Sequence, residues 1–251
     1  MNSMRKSLGE EISEQNFSAD NSYIGQINLF KSIAAGYAST ENAIAVLSDM
    51  KANRSYIYYG GFVEMLDYKP TESAAINSIW EEDIFQLIHP DDLENKYRQE
   101  LRFFTFLKRQ PKHQRNRYYM CSSIRMRGRN GEWLHCVHRI FYCVVPDSDN
   151  LWLALCLYLP KIGEMPSPCI VVNSATGQSF PLSTDNDRRI LTRREKEVLM
   201  LIEQGLRSAD IASRLSISVH TVSRHRQDLI AKLQVRNTIE AIRRAKALRL
   251  I

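Results

Sequence analysis

The hydrophobic positions of this chain change period several times, and each change marks an element. Residues 1–22, MNSMRKSLGEEISEQNFSADNS, are mostly polar and are expected to form a disordered tail. From Tyr23 to Tyr37 the apolar residues Ile27, Phe30, Ile33, Ala34 and Tyr37 recur at helical spacing, which predicts a helix within 23–39. Ile44–Leu47 and Tyr56–Tyr59 then flank a turn-like stretch from Asp49 to Asn53 and predict a hairpin. Pro90 opens a helix with Leu93, Tyr97, Leu101 and Phe104 along one stripe, since its missing N–H costs nothing at the first helical position. Three strand-like runs follow: Tyr118–Arg127, Trp133–Cys143 and Leu151–Leu159. Asn130-Gly131 joins the first two as a tight hairpin. These elements predict one α+β domain over residues 40–160.

Residues 161–189 are rich in Pro, Ser, Thr, Asn and Asp and read as a linker, with a small hairpin possible between Cys169–Asn173 and Gln178–Leu182. Four short helices are then predicted over 190–251. Thr192-Arg193-Arg194-Glu195 fits a capping box, and Gly205 stands where a C-terminal cap belongs. Ser208 is expected to cap a second helix, Ser218 a third running to Leu233, and Asn237-Thr238-Ile239-Glu240 to open a fourth. The second and third, joined by Ser216-Ile217-Ser218, have helix-turn-helix spacing. At about 100° per residue, Val222, His225, Leu229 and Leu233 share the inward face of the third helix. His220, Arg224, Gln227 and Ala231 share the outward arc, with Thr221 and Ser223 at its edges. Arg226 projects partly inward, toward a salt bridge with Glu195 or Glu197. An outward arc carrying Arg and Gln and no large apolar group suits base edges, because Arg matches guanine and Gln matches adenine in bidentate geometry.

Charge sharpens this division. Residues 190–251 hold 13 Lys/Arg against 6 Asp/Glu, whereas the rest of the chain holds 21 against 22. The whole basic excess lies in the last quarter, which suits a polyanionic partner there and nowhere else. The N-terminus has no apolar core of signal-peptide length, and Leu151–Leu159 falls well short of the roughly 20 residues that cross a bilayer. A cytoplasmic chain with no membrane partner is expected. Five cysteines without CxxC spacing argue against a disulfide scaffold or zinc finger. No nucleophile–base pair or phosphate loop is present, so an enzyme is not expected, nor is a cofactor.

The segment LTRREKEVLMLIEQGLRSADIASRLSISVHTVSRHRQDLIAKL, from Leu191 to Leu233, resembles the LuxR-type helix-turn-helix domain of bacterial regulators. Leu191, Thr192, Arg194, Glu195, Val198, Leu199, Gly205, Ile211, Ala212, Leu215, Ser218, Thr221, Val222, His225, Lys232 and Leu233 stand in register with that family. Arg207-Ser208-Ala209-Asp210 departs from its usual Ser-Asn-Lys-Glu, which puts a backbone contact at the start of the second helix in doubt. The resemblance implies double-stranded DNA as partner, phosphate contacts near Thr221 and Lys232, base contacts around Ser223, Arg224 and Gln227, and binding as a homodimer.

The region before it resembles a PAS domain. The likeness rests on Ile44–Asp49 with Ser55–Tyr59, on Phe62–Tyr68, on Ile88-His89-Pro90-Asp91-Asp92, and on Arg125–Arg129 with Asn130-Gly131-Glu132-Trp133. A phosphorylated receiver is the alternative partner of such output domains, but Asp91 and Asp92 open a helix instead of following an apolar strand. The PAS resemblance implies a sensor for a small ligand or a protein partner; the alternative is a purely structural dimerisation or docking module. The cysteine motif of light-sensing PAS domains is absent. His89 beside Pro90 is read as starting a helix and not as a haem ligand. His135, Cys136 and His138 are the one metal-like cluster, and strand alternation sets His135 on the opposite face, so no metal site is expected.

Overall fold

The computed structural model describes residues 3–15, 17, 24–70, 75–144, 150–182, 191–233, 235–248 and 250–251. The part before the C-terminal helices is built on an eight-stranded antiparallel sheet in the order β3-β2-β1-β6-β5-β4-β7-β8. The strands are β1 (Ile44–Asp49), β2 (Arg54–Tyr59), β3 (Ala75–Ile76), β4 (Tyr118–Arg127), β5 (Trp133–Val144), β6 (Leu151–Pro160), β7 (Cys169–Asn173) and β8 (Ser179–Pro181). β1 is buried along its whole length, including the polar Ser48 and Asp49, and β6 over its first eight residues, which explains the continuous apolar run of β6. β4 alternates instead.

Helix α2 (Ile24–Thr40) covers one face of the sheet, where Ala34 and Ala38 pack with Ala45, Leu47, Trp152, Leu155 and Leu157. Gly60 lies where a Cβ would stand 2.1 Å from the Ala38 carbonyl oxygen and 2.6 Å from the Asn42 carbonyl carbon, so α2 and the end of β2 meet through a residue without a side chain. The other face packs under α1 (Ser3–Ser13), α3 (Glu82–Phe85) and α4 (Pro90–Arg109). This α+β architecture is what the PAS resemblance implies. His89 caps α4 by accepting from the Asp91 N–H at 3.3 Å, as expected of a helix-opening residue. Asp92 fixes the same corner, accepting from Arg125 Nε and Nη2 at 2.8 Å each.

Two expectations need correction. The segment 1–22 does not read wholly as a disordered tail, because Ser3–Ser13 is helical with Met4, Leu8 and Ile12 buried at a spacing of four. This stripe finds its partner on α4, far along the chain, so a polar local composition conceals it. The hairpin within 161–189 also forms, but β7 pairs with β4 from Tyr118↔Asn173 to Ser122↔Cys169 and so extends the sheet instead of lying in a free linker. The C-terminal unit is α5 (Arg193–Glu203), α6 (Ser208–Leu215), α7 (Val219–Leu233) and α8 (Thr238–Ala247). One continuous set of buried residues runs from the sheet through α1 and α4 into these helices.

Candidate nucleic-acid interface and sensor cavity

Local bonds set the angle of α7. Thr192 Oγ1 accepts from the Glu195 N–H at 3.2 Å while Glu195 Oε2 accepts from the Thr192 N–H at 2.8 Å, closing the predicted capping box. Gly205, at φ +82°, turns the chain after α5. Ser208 does not cap α6; Arg207 takes that place, its N–H donating to Asp210 Oδ2 at 3.2 Å. The Ser208 hydroxyl instead accepts from Arg226 at 2.9 Å. That bond and a longer one to Thr238 Oγ1 at 3.5 Å replace the salt bridge expected of Arg226. Glu197 is taken by Arg194 at 2.9 Å, and Glu195 by Lys232. Ser218 Oγ accepts from the Thr221 N–H at 3.0 Å and starts α7 as expected.

Val222, Leu229 and Leu233 are buried against the core, with His225 only half-buried on that side. His220, Ser223, Arg224, Gln227 and Ala231 are all exposed. Val219, passed over in the sequence reading, is 49 % exposed and begins the row Val219, Ser223, Gln227, Ala231 at a spacing of four. Its signal was this spacing: an apolar residue one turn before a polar row. Thr221 and Lys232 are half-buried at the flanks. The Thr221 hydroxyl lies 2.8 Å from that of Ser218. Lys232 Nζ donates to Glu195 Oε1 and Oε2 at 2.6 and 2.8 Å. Burial would raise the Glu195 carboxyl, but its bonds from Lys232 and Thr192 outweigh this and hold it below its ordinary value. Lys232 is therefore an internal partner before it is anything else.

Between α1, α4 and the sheet lies a cavity of about 40 Å³ lined by Leu8, Ile12, Ser48, Trp80, Glu81, Phe85, Lys96, Glu100, Tyr142, Ala154 and Cys156, among others. Such a volume holds about three waters. Its polar wall was not foreseen. Lys96 is 2 % exposed and donates to Glu100 Oε1 at 2.7 Å. Burial alone would lower the ammonium pKa, but the carboxylates of Glu100 and Glu81 more than offset it and raise it. Glu81 is pushed up by burial and accepts from Tyr158 Oη at 3.1 Å. The His138 ring stacks on Tyr158, and its Nε2, 3.6 Å from Glu100 Oε1, has no hydrogen bond among the described residues. Burial, then Lys96, push its pKa well down, so it is neutral.

His135 is exposed, so His135, Cys136 and His138 do not converge. Glu100, His138 and Cys156 do bring ligand atoms within 4.8 Å of one another, but the Lys96 ammonium already occupies the cationic place beside Glu100. Burial raises the Cys121 thiol to about 11 and those of Cys136, Cys143 and Cys169 to about 12, as fits small hydrophobes. No helix among the described residues is long and apolar enough to cross a membrane.

The transcriptional regulatory protein DesR of Bacillus subtilis (strain 168) is 48% identical over 56 residues, 22% of this chain and 28% of that one. The nitrate/nitrite response regulator protein NarL of Escherichia coli (strain K12) is 39% identical over 100 residues, 39% of this chain and 46% of that one. The chain thus spans less than half the length of either. The crystal structure of a phage VqmA-DPO complex covers 90% of this chain and 94% of its own at 14% identity, with a TM-score of 0.30, a poor global superposition. Residues 189–245 match the family of bacterial regulatory proteins described as luxR, and the four-helix unit is a luxR-type helix-turn-helix domain.

Proposed function

We propose that this chain is a sequence-specific DNA-binding transcriptional regulator whose α7 enters the major groove and whose PAS-like domain senses a small ligand or a protein partner. The observation that carries the reading is the exposed, small and polar surface of α7 on a luxR-type unit that holds the chain's basic excess. Arg224 and Gln227 read base edges, with His220 and Ser223 beside them, and Val219 offers methyl groups to a thymine. Thr221 lies toward the phosphates, and Lys232 reaches one only by sharing or leaving Glu195. A homodimer on a two-fold site is the geometry that fits this motif. The test is binding of the full chain to a selected duplex over a salt series. Six phosphate contacts give a log–log slope of about −5. Salt-insensitive binding, or none, removes the proposal.

A second reading keeps the DNA-binding role and makes the PAS-like domain a structural module. It is favoured by a cavity of only about 40 Å³ whose principal charges already pair. Native mass spectrometry of the purified chain tests the small-ligand form of the first reading: a retained small molecule supports it, and a bare chain removes it in favour of a protein partner or the structural module.

A further inference from the structure

One helix belongs to both the sensor interior and the DNA-binding unit. The apolar side of α1 closes the cavity with Leu8 and Ile12, which are 1 % and 8 % exposed. Its ends are pinned to the sensor. Arg5 pairs with Glu82 and lies over the Trp80 ring, while just past the other end Gln15 donates to the Leu151 carbonyl at 2.9 Å and accepts from the Leu151 N–H at 2.7 Å. Its acidic side grips α8, where Glu11 pairs with the buried Arg244 and Glu10 with Arg243 at 3.4 Å; just past α1 the Glu14 carbonyl accepts from Arg236, ahead of α8, at 3.4 Å. Arg244 continues to Thr105 Oγ1 on α4 at 2.9 Å, and Arg102 of α4 reaches the Leu248 carbonyl at 3.2 Å. Burial lowers Arg244 to about 10, which leaves it charged at neutral pH. Val219, Ser223 and Gln227 of α7 remain exposed beside this contact.

We propose that α1 is the coupling element of the protein: an occupant of the cavity displaces α1, and the displaced α1 releases α8 and with it the luxR-type unit. This rests on the regulator reading and adds its mechanism. The cavity is too small for more than about three waters, so a molecule of several heavy atoms needs space that its lining now fills, and Leu8 and Ile12 of that lining stand together on the short helix α1. Moving them carries Glu10 and Glu11 away from Arg243 and Arg244, because both sets stand on one short helix. Linkage makes the effect reciprocal, so holding α8 in place also resists filling of the cavity. What changes on release is where the reading helix can be carried, since it is exposed already.

Hydrogen–deuterium exchange on the full chain tests this without DNA or ligand. Ala154→Met fills the cavity from the sheet side, and Leu8→Asp expels α1 directly. Each is expected to raise exchange at least tenfold in both 3–15 and 238–248, with 208–215 in α6 unchanged as the sign that the luxR-type unit stays folded. Faster exchange in α1 with α8 unchanged, in either variant, overturns the proposal. So does an Ala154→Met chain in which α1 is undisturbed, since the cavity then fills without moving it. Duplex binding by the wild-type chain is measured beside it, so a failed coupling and a failed regulator reading give different results.

Discussion

Replacing Lys232 by alanine separates an internal role from a DNA contact. The ammonium makes two short bonds to Glu195, whose side chain is only 4 % exposed. Hydrogen bonds to charged groups contribute about 1.5–3 kcal/mol in mutational series, and fully exposed pairs about 0–1 kcal/mol. Lys232 is 40 % exposed, which places the loss between these limits, at about 1–2 kcal/mol. At about 2–4 °C per kcal/mol for a chain of this size, the melting temperature falls by about 2–8 °C. Far-UV circular dichroism melts of wild type, Lys232→Ala, Glu195→Gln and the double variant close a cycle in which the second change costs little once the first is made. The reasoning fails if Lys232→Ala melts with the wild type while its DNA salt slope drops by about one unit. That result makes the lysine a phosphate ligand and the ion pair energetically idle.

Three further outcomes follow from the same geometry. Arg224→Ala should flatten base preference at one position of a binding-site selection, costing about 1–3 kcal/mol on the preferred duplex; an unchanged preference removes α7 from the groove. Lys96→Met leaves the Glu100 carboxylate buried without its partner and should cost about 3–5 kcal/mol in urea unfolding, with Lys96→Met/Glu100→Met recovering most of it. Glu195 has a folded-state pKa below its unfolded value, so its stabilisation is complete above the ordinary carboxylate range and is lost as pH falls through the folded value; acid melts of Glu195→Gln should depend less on pH than wild type below about pH 4.

Elements whose partners lie nearby in sequence were legible. The Thr192–Glu195 box, the Ser218 cap and the Asn130-Gly131 hairpin each carry their own reason for folding, and the arc of α7 follows from spacing alone. What escaped depends on residues far along the chain. Met4, Leu8 and Ile12 make a stripe only against α4, some ninety residues later. Lys96, Glu100 and Arg102 look like an ordinary solvated face of α4 until the sheet, α1 and α8 close over them. Arg226 was placed inward but given the wrong partner, because hydroxyls on two other helices, Ser208 and Thr238, compete with the carboxylates. The β7–β8 hairpin was readable as a hairpin, yet nothing local told it to join β4.

That pairing also shortens the tether. With β7 and β8 bound to the sheet, the last described residue of the sensor is Leu182, whose N–H donates to the Cys169 carbonyl, and the described part of the luxR-type unit begins at the buried Leu191. Nine peptide steps reach at most about 30 Å. Two units joined by so few residues stay at a high effective concentration of one another, so their contact persists without great strength. The ion pairs between α1 and α8 act together with the bonds from α4 to Arg244 and Leu248 and with the shared buried core, so the proposed displacement of α1 has to loosen these contacts as well.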